Sequence, residues 1–354
     1  MNILQRYIAL NVVTSTLLVL FVLLGLYTFM DFITELDDLG VGNYHLPQIA
    51  SYIGMTTPKR IYELLPVAAL LGSVIGLGNM ASQSELVAIR AAGMSVKQIN
   101  KAVLFVAIGI MLLAVVIGEV IRPVTEQKAL EAQSFAQTGT AGIRTVHGFW
   151  TRDDNHFNHI GNINADGSFS DITIYEFDGQ NQLRVLTKAK SAVYENREWL
   201  LSDVIQSHLS KDGVNIRSVT HANWRSQLNP GMLNIVVVPP EFLPVWDLLA
   251  YIEYLQTNHQ AVASYKLAFW TKVMMPLSSA VMVLLAVPFI FGPLRSSPIG
   301  GRILVGSLIG IGFHLFNQSF QQMGLVFGMA PWFAAALPTA LFAMIAWVMT
   351  SRVR

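Results

Sequence analysis

Apolar residues fall in six long runs separated by polar sequence, and the runs are too long and too uniform for strands. Three come early, at 8–30, at 64–80 with a start one or two turns sooner, and at 102–121. Three come late, at 267–291, 303–320 and 329–349. About 20 apolar residues carry a helix across the hydrocarbon core of a bilayer, so each run predicts a transmembrane helix. The first run follows Arg6, far outlasts a signal-peptide core and ends in acidic sequence, so it reads as a retained helix.

The pattern changes between the third and fourth runs. "DITIYEFD", "LRVLTKAKSAVYE", "WLLSDVIQSHLS" and "VNIRSVTHANW" alternate or are β-branched, and "GQNQ", "ENRE" and "KDG" supply turn chemistry between them. "GFWTRDDNHFNHI" adds a hairpin turning near 153–155, and "NADGSF" a further turn near 166–167. Many short strands at this spacing suggest a sandwich, jelly roll or related β fold. The predicted fold is therefore an α-helical membrane protein of six transmembrane helices with an inserted all-β, jellyroll-like domain. Its parts are 1–123 with three helices, 124–244 with the β domain, and 245–354 with three more helices.

Charge then fixes an expected orientation, because Lys and Arg favour short cytoplasmic loops. An N-terminus in the cytoplasm puts Arg6, Arg90, Lys97, Lys101, Arg295, Arg302, Arg352 and Arg354 on that side. The opposite short loops hold Lys59 and Arg60 beside Asp31, Glu35, Asp37 and Asp38. Both termini are expected in the cytoplasm and the β domain outside. Composition agrees with a bilayer protein: of 354 residues 53% are hydrophobic and 13% charged, against about a quarter charged in a soluble domain. A net charge of +1 argues against nucleic-acid binding, and the absence of cysteine excludes disulfides, thiolate nucleophiles and Cys-ligated zinc.

Catalytic signatures are missing. No G-x-x-x-x-G-K-[ST] cradle for phosphates occurs, nor HExxH, nor GxSxG. His156 and His159 in "HFNH" are three apart, which in a strand sends them to opposite faces and favours surface roles over metal binding. Ser264 and Lys266 evoke a Ser/Lys pair, but Lys266 and Lys272 lie at an outer helix entrance where lysines snorkel to headgroups. Glu119 and Arg122 share a helix face and read as a mutual ion pair. His314 lies 12 residues past Arg302, about 18 Å along a helix. Asn317, Gln318, Gln321 and Gln322 follow it, so this helix either lines a polar cavity or hydrogen-bonds its neighbours. Gly72-x-x-x-Gly76 and Gly306-x-x-x-Gly310 allow close helix packing, while Pro276, Pro288 and Pro293 kink or end the fourth span.

"SQSELVAIRAAGMS", residues 82–95, interrupts the apolar runs. A helix begun at Ser82 or Ser84 places Glu85 in its first turn, where the dipole favours a carboxylate. Leu86, Ile89 and Arg90 then share a face, and Gly93 offers a stop. The product is a short amphipathic helix near 82–96 that either rests on the membrane or docks into a cytoplasmic partner.

"SELVAIRAAGMSVKQI" resembles the cytoplasmic coupling-helix region of the LptF/LptG (YjgP/YjgQ) family, the permease subunits of lipopolysaccharide export. "LPVAALLGSVIGLGNMASQSEL" extends the likeness into the second span, and "FIFGPLRSSPIGGRI" is closer to the family's G subunit than to its F subunit. The resemblance covers essentially the whole chain. It implies an ABC-transporter permease subunit without catalytic activity, in a bacterial inner membrane, paired with an F-like subunit above two copies of the LptB ATPase. ATP and Mg²⁺ belong to that ATPase, and no cofactor is implied here. Lipopolysaccharide would enter a cavity formed by the first and fifth helices and leave through periplasmic jellyroll domains toward LptC. On this resemblance Ser84, Glu85, Leu86, Ile89, Arg90 and Gly93 would couple to the ATPase, and Phe29, Ile33, Phe313, His314, Phe316 and Asn317 would line the cavity.

Family members often carry Lys at the outer end of the first helix, where this chain has Asp31, Asp37 and Asp38. Divalent cations, or Lys59, Arg60, Lys266 and Lys272, would then serve lipid phosphates. A motor is physically required: each buried acyl CH₂ costs about 0.8 kcal/mol to expose, so a lipid with several chains costs tens of kcal/mol. The alternative class is a membrane-anchored envelope enzyme, or a scaffold, acting through the β domain.

Overall fold

The computed structural model describes residues 2–138, 149–153, 156–164, 167–178, 182–195, 198–210, 213–224, 226, 239–258, 260–291 and 298–352. These divide into two compact units. One holds residues 1–37, 53–126 and 263–354, and the other holds 38–52 and 127–262.

Among the described residues six helices are long and apolar enough to cross a membrane. They are α1 (Ile3–Glu35), α2 (Leu46–Ser82), the stack of α4 (Val96–Val116), a π turn (Ile117–Ile121) and α5 (Arg122–Thr138), then α7 (Ala263–Phe291), α8 (Ile299–Val326) and α9 (Pro331–Arg352). A short α3 (Glu85–Ala91) links α2 to α4. The second helix starts at Leu46, further ahead of residue 64 than the expected one or two turns. Its N-terminal half carries Lys59, Arg60 and Glu63, whose charges are paired within the bundle and so hide the helix from a hydropathy reading. Pro58 and Pro66 lie inside α2, and Pro276 and Pro288 inside α7, without ending either helix.

Packing in this unit is organised around α2. Gly72 and Gly76 bring it against Thr16, Asn11 and Ser15 of α1, so closely that a Cβ at Gly72 would collide with the Thr16 backbone. Val67 and Leu71 of α2 lie against Gly310 and Gly306 of α8. Both Gly-x-x-x-Gly pairs read from the sequence are thus helix contacts, on neighbouring faces of one helix. Buried Leu70, Leu77, Val103, Ala107, Val283 and Ala286 join α2, α4 and α7 into the main core.

The second unit holds a six-stranded antiparallel sheet of consecutive order: β1 (Phe149–Asp153), β2 (His156–Ile163), β3 (Phe169–Phe177), β4 (Leu183–Glu195), β5 (Glu198–Ser210) and β6 (Gly213–Trp224). The four strands read from alternation are β3 to β6, and the expected hairpin is β1–β2. Neighbours in sequence are neighbours in space, so the described strands form a meander without Greek-key crossings. One face buries Ile160, Phe169, Ile172, Ala189, Trp199 and Val204, with Phe169 stacked on Trp199 at 4.1 Å between ring centroids. Asp171 and Asp203 take left-handed φ of 59° and 54°, and the strand pairing skips both.

The boundary expected at residue 124 falls inside a helix. α5 runs on to Thr138, because its polar residues Gln127, Lys128, Glu131 and Gln133 continue a helix after the apolar run has ended. The first described strand starts at Phe149, and α6 (Val245–Thr257), expected with the late helices, groups with the sheet-bearing unit. Asn43 N–H donates to Ala136 O at 2.7 Å in that unit, beside the fully buried Tyr44. The expected turn residues at 154–155, 166, 179–181, 196–197 and 211–212, with Pro293 and Arg295, lie outside the described residues.

Candidate functional site

The stretch 82–95 folds as predicted in outline. Ser84, at φ 61°, turns the chain out of α2 and stands at the N-cap position of α3 without a side-chain capping bond, and Glu85 is the first residue of that helix. At the other end the Met94 N–H donates to Ile89 O and the Gly93 N–H to Arg90 O, the paired bonds of a Schellman stop. Gly93 sits at φ +89°, which is why glycine is the residue there. Ser95 then caps α4, accepting from the Gln98 backbone at 3.3 Å while Gln98 Oε1 accepts from the Ser95 N–H at 2.8 Å.

The face assignment within α3 needs correction. Leu86 and Ile89 are buried in the main core, whereas Arg90 is exposed along with Val87, Ala88 and Ala91. Leu86 and Ile89 therefore anchor the helix, and Arg90, grouped with them by the i, i+3, i+4 reading, lies instead on the open side with Val87, Ala88 and Ala91. Glu85 is tied back to α1: the Tyr7 hydroxyl donates to its carboxylate at 3.0 and 3.2 Å. No sequence pattern links residues 78 positions apart, so Tyr7 had no signal.

At the far end of the same unit a chain of charges crosses four helices. Arg60 Nε and Nη2 grip both oxygens of Asp31 at 2.7 and 2.8 Å, and Arg60 also reaches Glu63 at 3.2 Å. Arg122 lies 3.9 Å from Glu63 and over the Tyr62 ring at 5.3 Å. Lys272 donates to Glu119 at 3.2 Å and to the Gly118 carbonyl at 3.3 Å, a group within the π turn. Lys59 pairs with Glu126 at 3.2 Å.

Three expected headgroup cations are therefore engaged within the protein. Lys272 is 6% exposed, which corrects its placement as a snorkelling residue: burial beside Glu119 replaces a headgroup. Lys266 is half-buried and makes no ion pair among the described residues. The acidic end of the first helix is answered by Arg60, while Asp38 accepts from Gln137 at 3.2 Å. Glu119 and Arg122 each reach across to another helix, which a reading confined to their own helix could not see.

Of the residues expected to line a cavity, Phe29 and Ile33 are exposed at 61% and 51% on α1. On α8 His314 is exposed, and Phe316 and Asn317 are half-buried. Phe313 is a correction: it is 3% exposed and packs edge-on to Phe342 of α9 at 5.0 Å. The open face of α8 instead carries His314, Gln318 and Gln322, a stripe at four-residue spacing. In β2, His156 lies 3.9 Å from Glu176 and His159 packs on Trp150 at 4.9 Å between ring centroids.

Comparison with known proteins agrees with this layout. The family described as lipopolysaccharide export system permease LptF/LptG matches residues 6–352. The lipopolysaccharide export system permease protein LptG of Haemophilus influenzae is 36% identical over 355 residues, covering 100% of this chain and 99% of the relative. LptG of Escherichia coli K12 is 35% identical over 347 residues, covering 97% and 96%. LptF of the same strain is 26% identical over 111 residues, or 31% of this chain and 30% of the relative. The chain belongs to the lipopolysaccharide export permease family LptF/LptG, as a member of LptG type.

Proposed function

We propose that this chain is the G-type half of an ATP-driven exporter that lifts lipopolysaccharide out of a bacterial inner membrane. An F-like subunit completes the permease, two LptB-type ATPase copies bind the cytoplasmic end, and the outer β unit hands lipid toward an LptC-type partner. ATP and Mg²⁺ reside in the ATPase. The observation that carries the reading is α3: Leu86 and Ile89 root it in the core, Val87 and Arg90 face outward, and Glu85 is bonded to Tyr7 of α1. A push on the outer face of such a helix is delivered to the first membrane helix.

Orientation follows from charge. Arg6, Arg90, Lys101, Arg302 and Arg352 gather at the end of the bundle that holds α3, which favours the cytoplasm. The cargo path is assigned to the open faces of α1 and α8. His314, Gln318 and Gln322 are costly against lipid tails and suit a polar cavity or a partner helix. Pull-down of the tagged chain from native membranes, with identification of proteins and lipids, tests the whole reading. It expects an F-like subunit, an ATPase and lipopolysaccharide in the eluate. Catalytic turnover of an envelope lipid by the isolated chain would overturn it.

A further inference from the structure

A groove of about 420 Å³ lies between α4, α7 and α9, at the end of the membrane unit that holds α3. Its walls are apolar, with Leu104, Leu284, Ala343 and Trp347 among the lining residues. Its polar lining comes from Asn100, Lys101 and Thr350. On α4 the polar pair precedes Leu104 by one turn, and on α9 Thr350 follows Ala343 by seven residues, about 10 Å of rise. The polar groups therefore share one end of a slot some two turns deep. Lys101 is exposed and makes no ion pair among the described residues, which leaves its charge to whatever fills the slot.

We propose that this groove binds one anionic glycerophospholipid of phosphatidylglycerol type. An acyl chain lies along the apolar wall, the phosphate accepts from Lys101, and the head group lies beside Asn100 and Thr350. A zwitterionic ethanolamine head brings its ammonium beside Lys101. Lipopolysaccharide does not suit the slot, which is sized for a single chain, while the faces assigned to cargo belong to α1 and α8. The cytoplasmic leaflet as source of the lipid rests on the orientation proposed above, whereas the site itself does not.

The test uses the full permease–ATPase complex in nanodiscs with photoactivatable phosphatidylglycerol, phosphatidylcholine or lipopolysaccharide, and mapping of the crosslinked peptides. The expected result is phosphatidylglycerol on the peptides containing Leu104 and Trp347, with phosphatidylcholine a poor competitor. Ala343→Trp should fill the groove and abolish that label. Lys101→Gln leaves the walls intact and should weaken phosphatidylglycerol capture about fivefold, as expected for one lysine at an anionic surface. Equal capture of both phospholipids, unchanged labelling in Lys101→Gln, or preferential capture of lipopolysaccharide or another subunit would overturn the proposal. Orientation is read separately by an impermeant thiol reagent on Ser351→Cys in spheroplasts. Labelling from outside would sink the leaflet assignment and leave the groove result standing.

Discussion

Tyr7 and Glu85 meet through two contacts, at 3.0 and 3.2 Å, on an exposed edge of the membrane unit. A hydrogen bond to a charged group contributes about 1.5–3 kcal/mol when shielded, and solvent reduces that here. Tyr7→Phe should therefore leave folding nearly unchanged. On the proposed coupling role it should lower lipopolysaccharide release per ATP hydrolysed several-fold in proteoliposomes; an unaltered ratio would remove Tyr7 from the coupling path. Lys272 poses the opposite case, because it and Glu119 have side chains only 4% and 16% exposed. Removing one member of a buried pair costs about 3–5 kcal/mol, since the other charge is left desolvated. Lys272→Met should lower the melting temperature of the purified protein clearly, and adding Glu119→Leu should recover much of the loss. A double variant as unstable as the single one would show that the pair itself is not the source.

At the scale of elements, α3 is a short helix defined by its ends. Gly93 stands at φ +89° with open space around it, so an added methyl meets only backbone strain. That strain is about 1–2 kcal/mol in the left-handed region, and asparagine tolerates it better than alanine. Gly93→Ala should speed hydrogen exchange of the α3 amides about tenfold in proportion, and Gly93→Asn should do so less. Equal rates in all three proteins would mean that the core contacts of Leu86 and Ile89 alone define the helix. Such elements were largely legible before any coordinates: the six apolar runs, the strands β3 to β6, the glycine pairs and the Gly93 stop are local patterns with local causes. What escaped reading depends on partners distant in sequence. The N-terminal half of α2 looked like a charged loop because its lysine and arginine find carboxylates on other helices. Arg90 was grouped with Leu86 and Ile89 because periodicity tells that two faces exist, while the neighbour decides which residues are covered. Phe313 and Lys272 were misplaced for the same reason.

On the scale of the whole membrane unit, burial is uneven in a way that lipid alone does not explain. The apolar windows of α2 and α7 are 78% and 67% buried, those of α1 and α8 28% and 22%. Both outlying helices are held to α2 by glycine contacts on neighbouring faces, which leaves their far sides unattached. An apolar far side needs no cover in a bilayer, since lipid tails solvate leucine as well as protein does. α1 fits that description through Leu18, Phe21 and Phe29, but α8 does not, because His314, Gln318 and Gln322 cannot be satisfied by hydrocarbon. The stripe must meet water, a polar headgroup or another helix, whereas α4 beyond Lys101 exposes apolar residues at Leu104, Ile108 and Leu112 to its surroundings. A photocrosslinking residue at Gln318 should therefore capture lipopolysaccharide or the second permease subunit in native membranes. The same residue at Leu112 should capture ordinary phospholipid, and one at the buried Phe313 should capture neither. If positions 318 and 112 yielded the same lipid profile, α8 would be a peripheral helix in bulk lipid and the cargo path would have to run elsewhere.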